Sequence, residues 1–257
     1  MDVDTTTTGG AGGGIPIVLL HGVGLDHTMW EPLQALMDRD TIALDLPGHG
    51  AQPPLQKTRT LADLAGDVLA RLPDGRVHLV GFSLGALVAQ HIARFHPERV
   101  ATLSCVSAVY DRSAEESAAV ESRLAAARTA FSDSVAASLQ RWFPRGSGAS
   151  ADVVAATERV LLANDPASYL HAYAVFACGD REIASEVGRI TAPMLAITGE
   201  LDPGSTPQMS RRLADAVPDA RLIVVPGTRH MLPSENAPAL ASALTTFIDE
   251  SEDNHRD

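Results

Sequence analysis

The chain has 257 residues, 32 acidic against 20 basic, and a formal net charge of −12. That length can bury a full core as one α/β domain plus an insertion, and the charge argues against nucleic acid or an anionic membrane surface as a partner. No apolar run approaches the ~20 residues that a membrane helix needs. Met1 to Gly14 has neither the basic start nor the apolar core of a signal peptide, so a cytoplasmic location is the expectation.

In chain order, residues 1–14 read as a flexible N-terminus in which Asp2 to Thr8 can form one strand and Gly9 to Gly14 a linker or turn. Ile15 to Leu20 is an apolar strand followed by the loop His21-Gly22-Val23-Gly24. Arg76 to Val80 reads as a short buried strand, and Leu84 to Arg94 as a helix with Ala and Leu on its inner face. Val100 to Val106 is the next strand, after which the alternation of strand and helix stops. Residues 111–186 read as helical throughout, broken at Pro144 to Gly148 and at Asn164-Asp165-Pro166, and this block is expected to be a lid on a core of residues 15–110 and 187–249. Alternation resumes with Met194 to Gly199 and Arg221 to Val225, then the helix Pro238 to Ile248 and a frayed polar tail. Cys105 and Cys178 have neither metal-ligand nor redox spacing and are expected to be buried free thiols.

Between the strand at Arg76 and the helix at Leu84 stands Gly81-Phe82-Ser83-Leu84-Gly85. A serine there sits on a tight strand-to-helix turn, with glycines on either side because a Cβ would collide with the adjoining strand and helix. Its hydroxyl is lifted above the sheet, beside helix N–H groups that favour developing negative charge. Ser83 is the candidate nucleophile.

A serine hydroxyl needs a base. His78, His91, His96 and His255 read as structural or solvated, whereas His230 lies in the loop after Arg221 to Val225, at the strand end where ligands collect in open α/β sheets. The orienting acid is expected between serine and histidine in chain order. Asp202, after Met194 to Gly199, is favoured over Asp111, and Glu200 and Asp180 are weaker rivals. An oxyanion hole calls for backbone N–H groups fixed before reaction. Leu84 supplies one, Val23 in the glycine loop the other, and His21 is expected to hold that loop.

These segments, together with Met29-Trp30, Asp45-Leu46-Pro47-Gly48-His49-Gly50, His96-Pro97-Glu98-Arg99-Val100, Gly199-Glu200-Leu201-Asp202 and Gly227-Thr228-Arg229-His230-Met231, resemble the α/β-hydrolase superfamily from about Ile15 to about Ile248. Within it the chain is similar to 3-oxoadipate enol-lactonases and related carboxylesterases, through Arg141-Trp142-Phe143-Pro144-Arg145 and Thr191-Ala192-Pro193-Met194. Pimeloyl-carrier methyl ester esterases share a similar front half. The resemblance implies a mostly parallel sheet flanked by helices, with the lid inserted after the sixth strand. Such relatives usually place two antiparallel strands before the one at Ile15, so one N-terminal strand is expected to be missing or disordered.

The implied activity is cofactor-free hydrolysis of a small carboxylic ester or lactone by Ser83, His230 and Asp202. Perhydrolase or haloperoxidase chemistry, carbon–carbon bond hydrolysis and thioester hydrolysis reuse the same triad. A non-catalytic receptor for a small molecule is the alternative outside enzymes. A serine in place of an aspartate excludes the dehalogenase and epoxide-hydrolase branches. Trp142 is expected either to line the pocket or to pack inside the lid. If the lactonase resemblance extends to substrate, a lid arginine is expected to face Ser83, Arg145 first and Arg181 second, the alternative being that both are solvated or paired with acids.

Overall fold

Long apolar runs flanked by turn residues need burial on both faces, which is the environment of parallel strands covered by helices. The computed structural model describes residues 5–8 and 14–254. Its strands are β1 (Thr5–Thr8), β2 (Ile17–Leu20), β3 (Thr41–Leu44), β4 (Val77–Phe82), β5 (Val100–Val106), β6 (Met194–Gly199) and β7 (Ala220–Val225). They form one sheet in the order β1-β3-β2-β4-β5-β6-β7. β1 pairs antiparallel with β3 through the register Thr5 to Leu44, and every other pairing is parallel. The chain moves from β2 outward to β3, then returns across β2 to β4 and proceeds the other way. The sheet therefore has a topological switch between β2 and β4, the position where open α/β sheets bind ligands beyond their strand ends.

Alternate side chains of each strand enter separate cores. Val18, Leu20, Leu79, Leu103 and Cys105 pack with α2 (Leu61–Arg71), α3 (Leu84–Phe95) and α8 (Pro207–Ala216). Ile17, Leu19, Val80, Phe82, Leu195 and Ile197 pack with α1 (Glu31–Gln34), α9 (Leu232–Glu235) and α10 (Ala237–Asp253). Thr60 and Asp63 form a reciprocal cap at the start of α2, which satisfies two of the N–H groups a helix leaves open.

Between β5 and β6 run α4 (Ala114–Thr129), α5 (Phe131–Trp142), α6 (Ala151–Ala163) and α7 (Pro166–Ile183). This helical insertion follows the fifth strand of the chain. The family count of six includes a second N-terminal strand, and among the described residues only β1 precedes Ile17. One antiparallel strand is thus present where Asp2 to Thr8 predicted it, over Thr5–Thr8; Asp2 and most of the glycine linker lie outside the described residues.

The sequence reading is corrected at the C-terminus. α10 continues to Asp253 instead of fraying after Ile248, because its acidic end finds partners elsewhere. Arg39 bonds Asp249 at 2.6 Å and Glu252 at 2.9 Å, and His78 Nε2 lies 3.0 Å from Glu252. Cys105 is buried as expected, but Cys178 is exposed on α7. No helix among the described residues is long and apolar enough to cross a membrane.

Candidate active site

The local sterics of β4 and α3 build the centre of the site. Ser83 joins them at φ 53° and ψ −109°, a conformation outside the ordinary helix and strand basins. The turn is this tight because nothing larger than hydrogen fits at its flanks. A methyl group at Gly81 meets the backbone of Gly85 and Ala86, and one at Gly85 meets the carbonyl oxygens of Leu20 and His21. The Ser83 N–H donates to the Val106 carbonyl at 3.0 Å, pinning the turn to β5. Leu84 is the first residue of α3, so its N–H has no acceptor within the helix.

The loop after β2 is held by His21. Its Nδ1 donates to the Gly22 carbonyl at 2.7 Å, and its Nε2 accepts the Leu46 N–H at 2.8 Å. Both ring nitrogens are thereby committed to one neutral tautomer, and burial lowers the pKa of His21 to about 4. Val23, two residues on, lines the same cavity as Ser83.

Asp202 and His230 come from the loops after β6 and β7. Asp202 Oδ1 accepts the N–H groups of Gly204 and Ser205, each at 2.9 Å. Its Oδ2 lies 2.7 Å from His230 Nδ1. An ionised carboxylate only accepts, so Nδ1 carries the hydrogen and Nε2 keeps its lone pair. Ser107 Oγ donates to the His230 carbonyl at 3.0 Å. The imidazole is also packed on two sides, by Phe82 (centroids 5.0 Å apart) and by Trp142, stacked at 5.7 Å with 26° between the planes. Ser83, Asp202 and His230 border one cavity of about 30 Å³, room for about one or two water molecules. A roomier opening of about 510 Å³ lies by Pro16, His78 and Thr102, toward the opposite ends of the strands.

The other candidates lie elsewhere. Asp111 is exposed and its carbonyl accepts from Arg212. Asp180 is buried against Arg112 at 2.6 Å, and Glu200 accepts the Gly227 N–H. Trp142 borders the cavity and also packs in the apolar cluster that holds Val135, Leu139 and Leu161 of the insertion. Arg145 does not border the cavity; it is exposed in the loop past α5, because that helix ends at Trp142. Arg181 is exposed and pairs with Glu121 at 3.1 Å. The arginines that do border the cavity are Arg123 of α4 and Arg141 of α5, neither of them singled out by the sequence. Arg141 lies in the Arg-Trp-Phe-Pro-Arg segment already noted; Arg123 sits in an alanine-rich helix with no local signal.

A sequence model of the alpha/beta hydrolase family matches residues 17–243. The chain belongs to that family. Among alpha/beta hydrolases it is 33% identical over 229 residues to the (E)-2-((N-methylformamido)methylene)succinate hydrolase of Acinetobacter baylyi, covering 86% of this chain and 85% of that one. It is 31% identical, over 85% of its own length and 88% of the relative's, to a pimeloyl-[acyl-carrier protein] methyl ester esterase of Chromobacterium violaceum. Among solved structures, the enol-lactonase of Burkholderia xenovorans superposes with a TM-score of 0.83 at 26% identity, over 95% of both chains.

Proposed function

We propose that this hydrolase cleaves small carboxylic esters or lactones without a cofactor, through an acyl-enzyme on Ser83. The observation that carries the reading is the pairing of a strained Ser83 turn with the Asp202–His230 contact of 2.7 Å at one cavity. Ser83 Oγ attacks the carbonyl carbon while His230 Nε2 takes its proton, and Asp202 stabilises the imidazolium that results. The carbonyl oxygen becomes an oxyanion, received by the N–H groups of Val23 and Leu84. His230 then returns the proton to the leaving alkoxide, and water repeats the sequence to release the acid. In a lactone the alkoxide stays tethered, so one product forms. The methyl ester and enol-lactone named for the relatives support an ester-type substrate.

The insertion α4 to α7 acts as a lid. The cavity beside Ser83 is narrow, about 30 Å³, which supports a lid that moves to admit substrate. α6 is the element suited to move, since it buries only Thr157 and Leu161 and is bordered by openings of about 270 and 370 Å³. A receptor without catalysis has no use for an oriented imidazole, which speaks against the binding-only reading. Mass spectrometry after treatment with a fluorophosphonate tests the proposal. A single adduct on Ser83, absent in Ser83→Ala, is the expected result; hydrolysis of p-nitrophenyl acetate or lactones that persists in Ser83→Ala overturns it.

A further inference from the structure

The loop that carries Val23 is a tight turn packed directly against the lid. Its Leu25 N–H donates to the Gly22 carbonyl at 3.2 Å, and Gly24 has φ 76°, the arrangement of a type II turn, which needs a positive φ at its third residue. The N–H of the second residue, Val23, stays outside the internal hydrogen bond and donates to nothing among the described residues. Gly24 has no room for a side chain: a Cβ there would lie 2.7 Å from Tyr169 and 2.8 Å from Leu161. Leu161 belongs to α6 and Tyr169 to α7.

One side chain joins the two. Asn164, the residue that ends α6, donates from Nδ2 to the Gly24 carbonyl at 2.8 Å. The same nitrogen lies 3.0 Å from the Val160 carbonyl and 3.1 Å from the Leu161 carbonyl, in the last turn of α6, where a helix leaves its carbonyls open. An amide has two hydrogens to donate; one reaches Gly24, and the helix carbonyls share the other. α6 therefore holds the amide, and the amide holds the turn. The start of α6 is joined more loosely. It follows Gly146 and Gly148, whose Cβ positions meet nothing within 4 Å, and it is capped by its own Ser150, which accepts the Val153 N–H. α7 is moored separately through Ser168 Oγ, which donates to the Gly48 carbonyl at 3.0 Å and accepts the Leu55 N–H at 2.9 Å. α6 is thus free to pivot on its C-terminal end, the end that carries Asn164.

We infer that Asn164 is a positioning residue for the oxyanion hole, so that the position of the lid sets how well the tetrahedral intermediate is stabilised. The inference rests on the serine-hydrolase reading, in which the Val23 N–H receives the oxyanion. With α6 seated, Asn164 fixes the Gly24 carbonyl, and the turn presents the Val23 N–H to the cavity that Val23 and Ser83 share. With α6 displaced, that carbonyl is released, and a turn built on glycine rotates its peptide units at small cost. One of the two oxyanion donors then leaves its place. Because such donors act only when fixed before the reaction, the site reaches full power only under a closed lid, which couples closure to chemistry.

The test compares trifluoroacetophenone with its reduced alcohol as inhibitors of p-nitrophenyl acetate hydrolysis. Ser83 Oγ adds to the ketone carbon, its proton passes to His230 Nε2, and the carbonyl oxygen becomes an oxyanion; the alcohol fills the same space and forms none. The parent is expected to bind the ketone at least about 100-fold more tightly than the alcohol. Asn164→Ala removes the amide, and Asn164→Asp keeps its shape but, once ionised, has no N–H to donate. Each is expected to weaken ketone inhibition by about 10- to 100-fold and to lower kcat/KM by the same factor, less than outright loss of an oxyanion donor. Inhibition by the alcohol stays nearly unchanged. Ser150→Ala is the control, since it removes the cap at the far end of α6 without touching Gly24, and it keeps the ketone-to-alcohol ratio. Thermal melts identify the folded variants, and Asn164→Ser stands in if neither of the others folds. A ratio unmoved in the folded Asn164 variants, or lowered as much by Ser150→Ala, overturns the inference and leaves the hydrolase reading intact. A parent that binds ketone and alcohol alike, or binds the ketone equally well as Ser83→Ala, overturns that reading and the inference with it.

Discussion

Ser107 Oγ donates to the backbone carbonyl of His230 at 3.0 Å, tying the loop after β5 to the loop that presents the imidazole. Ser107 is fully buried, sits at φ 46° and donates its own N–H to the Ile197 carbonyl at 2.8 Å. One residue thus links the ends of β5, β6 and β7 behind the site, leaving the His230 side chain to Asp202.

Removing that hydroxyl is expected to slow turnover without weakening substrate binding. Ser107→Gly keeps the positive φ accessible, so it isolates the hydroxyl from backbone strain. A fall in kcat of about 3- to 10-fold with KM nearly constant is expected, alongside a stability loss of about 1 kcal/mol. Steady-state kinetics and urea titration read both. Unchanged kcat in a folded Ser107→Gly would show that Ser107 has no positioning role.

The acid assignment is tested by paired substitutions. Asp202→Asn is expected to lower kcat by about 10⁴, since an amide can hold the wrong imidazole tautomer. Asp111→Asn, at an exposed position, leaves kcat within about twofold. The reverse pattern on p-nitrophenyl acetate would assign the acid to the loop after β5.

At the elbow, Gly85→Ala forces a methyl group against the carbonyl oxygens of Leu20 and His21. These are backbone atoms at the end of β2 and the start of the loop after it, and they cannot yield as a flexible side chain can. Destabilisation of about 3 kcal/mol or more is expected. Gly66→Ala is the control, because its Cβ meets nothing within 4 Å; inside α2 it is expected to be neutral or stabilising. Equal melting temperatures for the two variants would contradict the steric account.

Stability should also depend on pH through two buried histidines, His21 and His49, whose rings lie 5.0 Å apart. Burial lowers His21 from 6.5 to about 4 and His49 from 6.5 to about 3. Each is neutral when folded at a pH where the unfolded chain takes up a proton, so stability is full above about 6.5 and is lost as pH falls toward those lower values. For His21 alone the loss reaches about 3 kcal/mol. Thermal melts between pH 7.5 and 5 should show a falling midpoint. A His21→Asn variant whose melting temperature falls as steeply as the parent's over that range would remove His21 as a source of the slope.

The parts of the site built from short-range chemistry were legible in the chain. The elbow at Ser83 follows from an apolar strand, two glycines and a helix in succession, and local sterics leave such a segment few alternatives. Asp202 and His230 were legible for a related reason, since each follows a strand and loops after parallel strands open on one end of the sheet. The arginines beside Ser83 were not. α5 stops at Trp142, so Arg145 falls into an exposed loop and Arg141, one turn earlier, meets the cavity. Arg123 reaches it only because α4 packs beside α5 and α7, a crossing that alanine-rich helices with no strong periodicity do not encode locally. The same holds for α10, whose last turn is stabilised by Arg39 and His78 from distant strands and loops. The placing of Ser83, Asp202 and His230 is a matter of local turn geometry and strand order; which cations surround them is decided by helix packing between residues far apart in the chain.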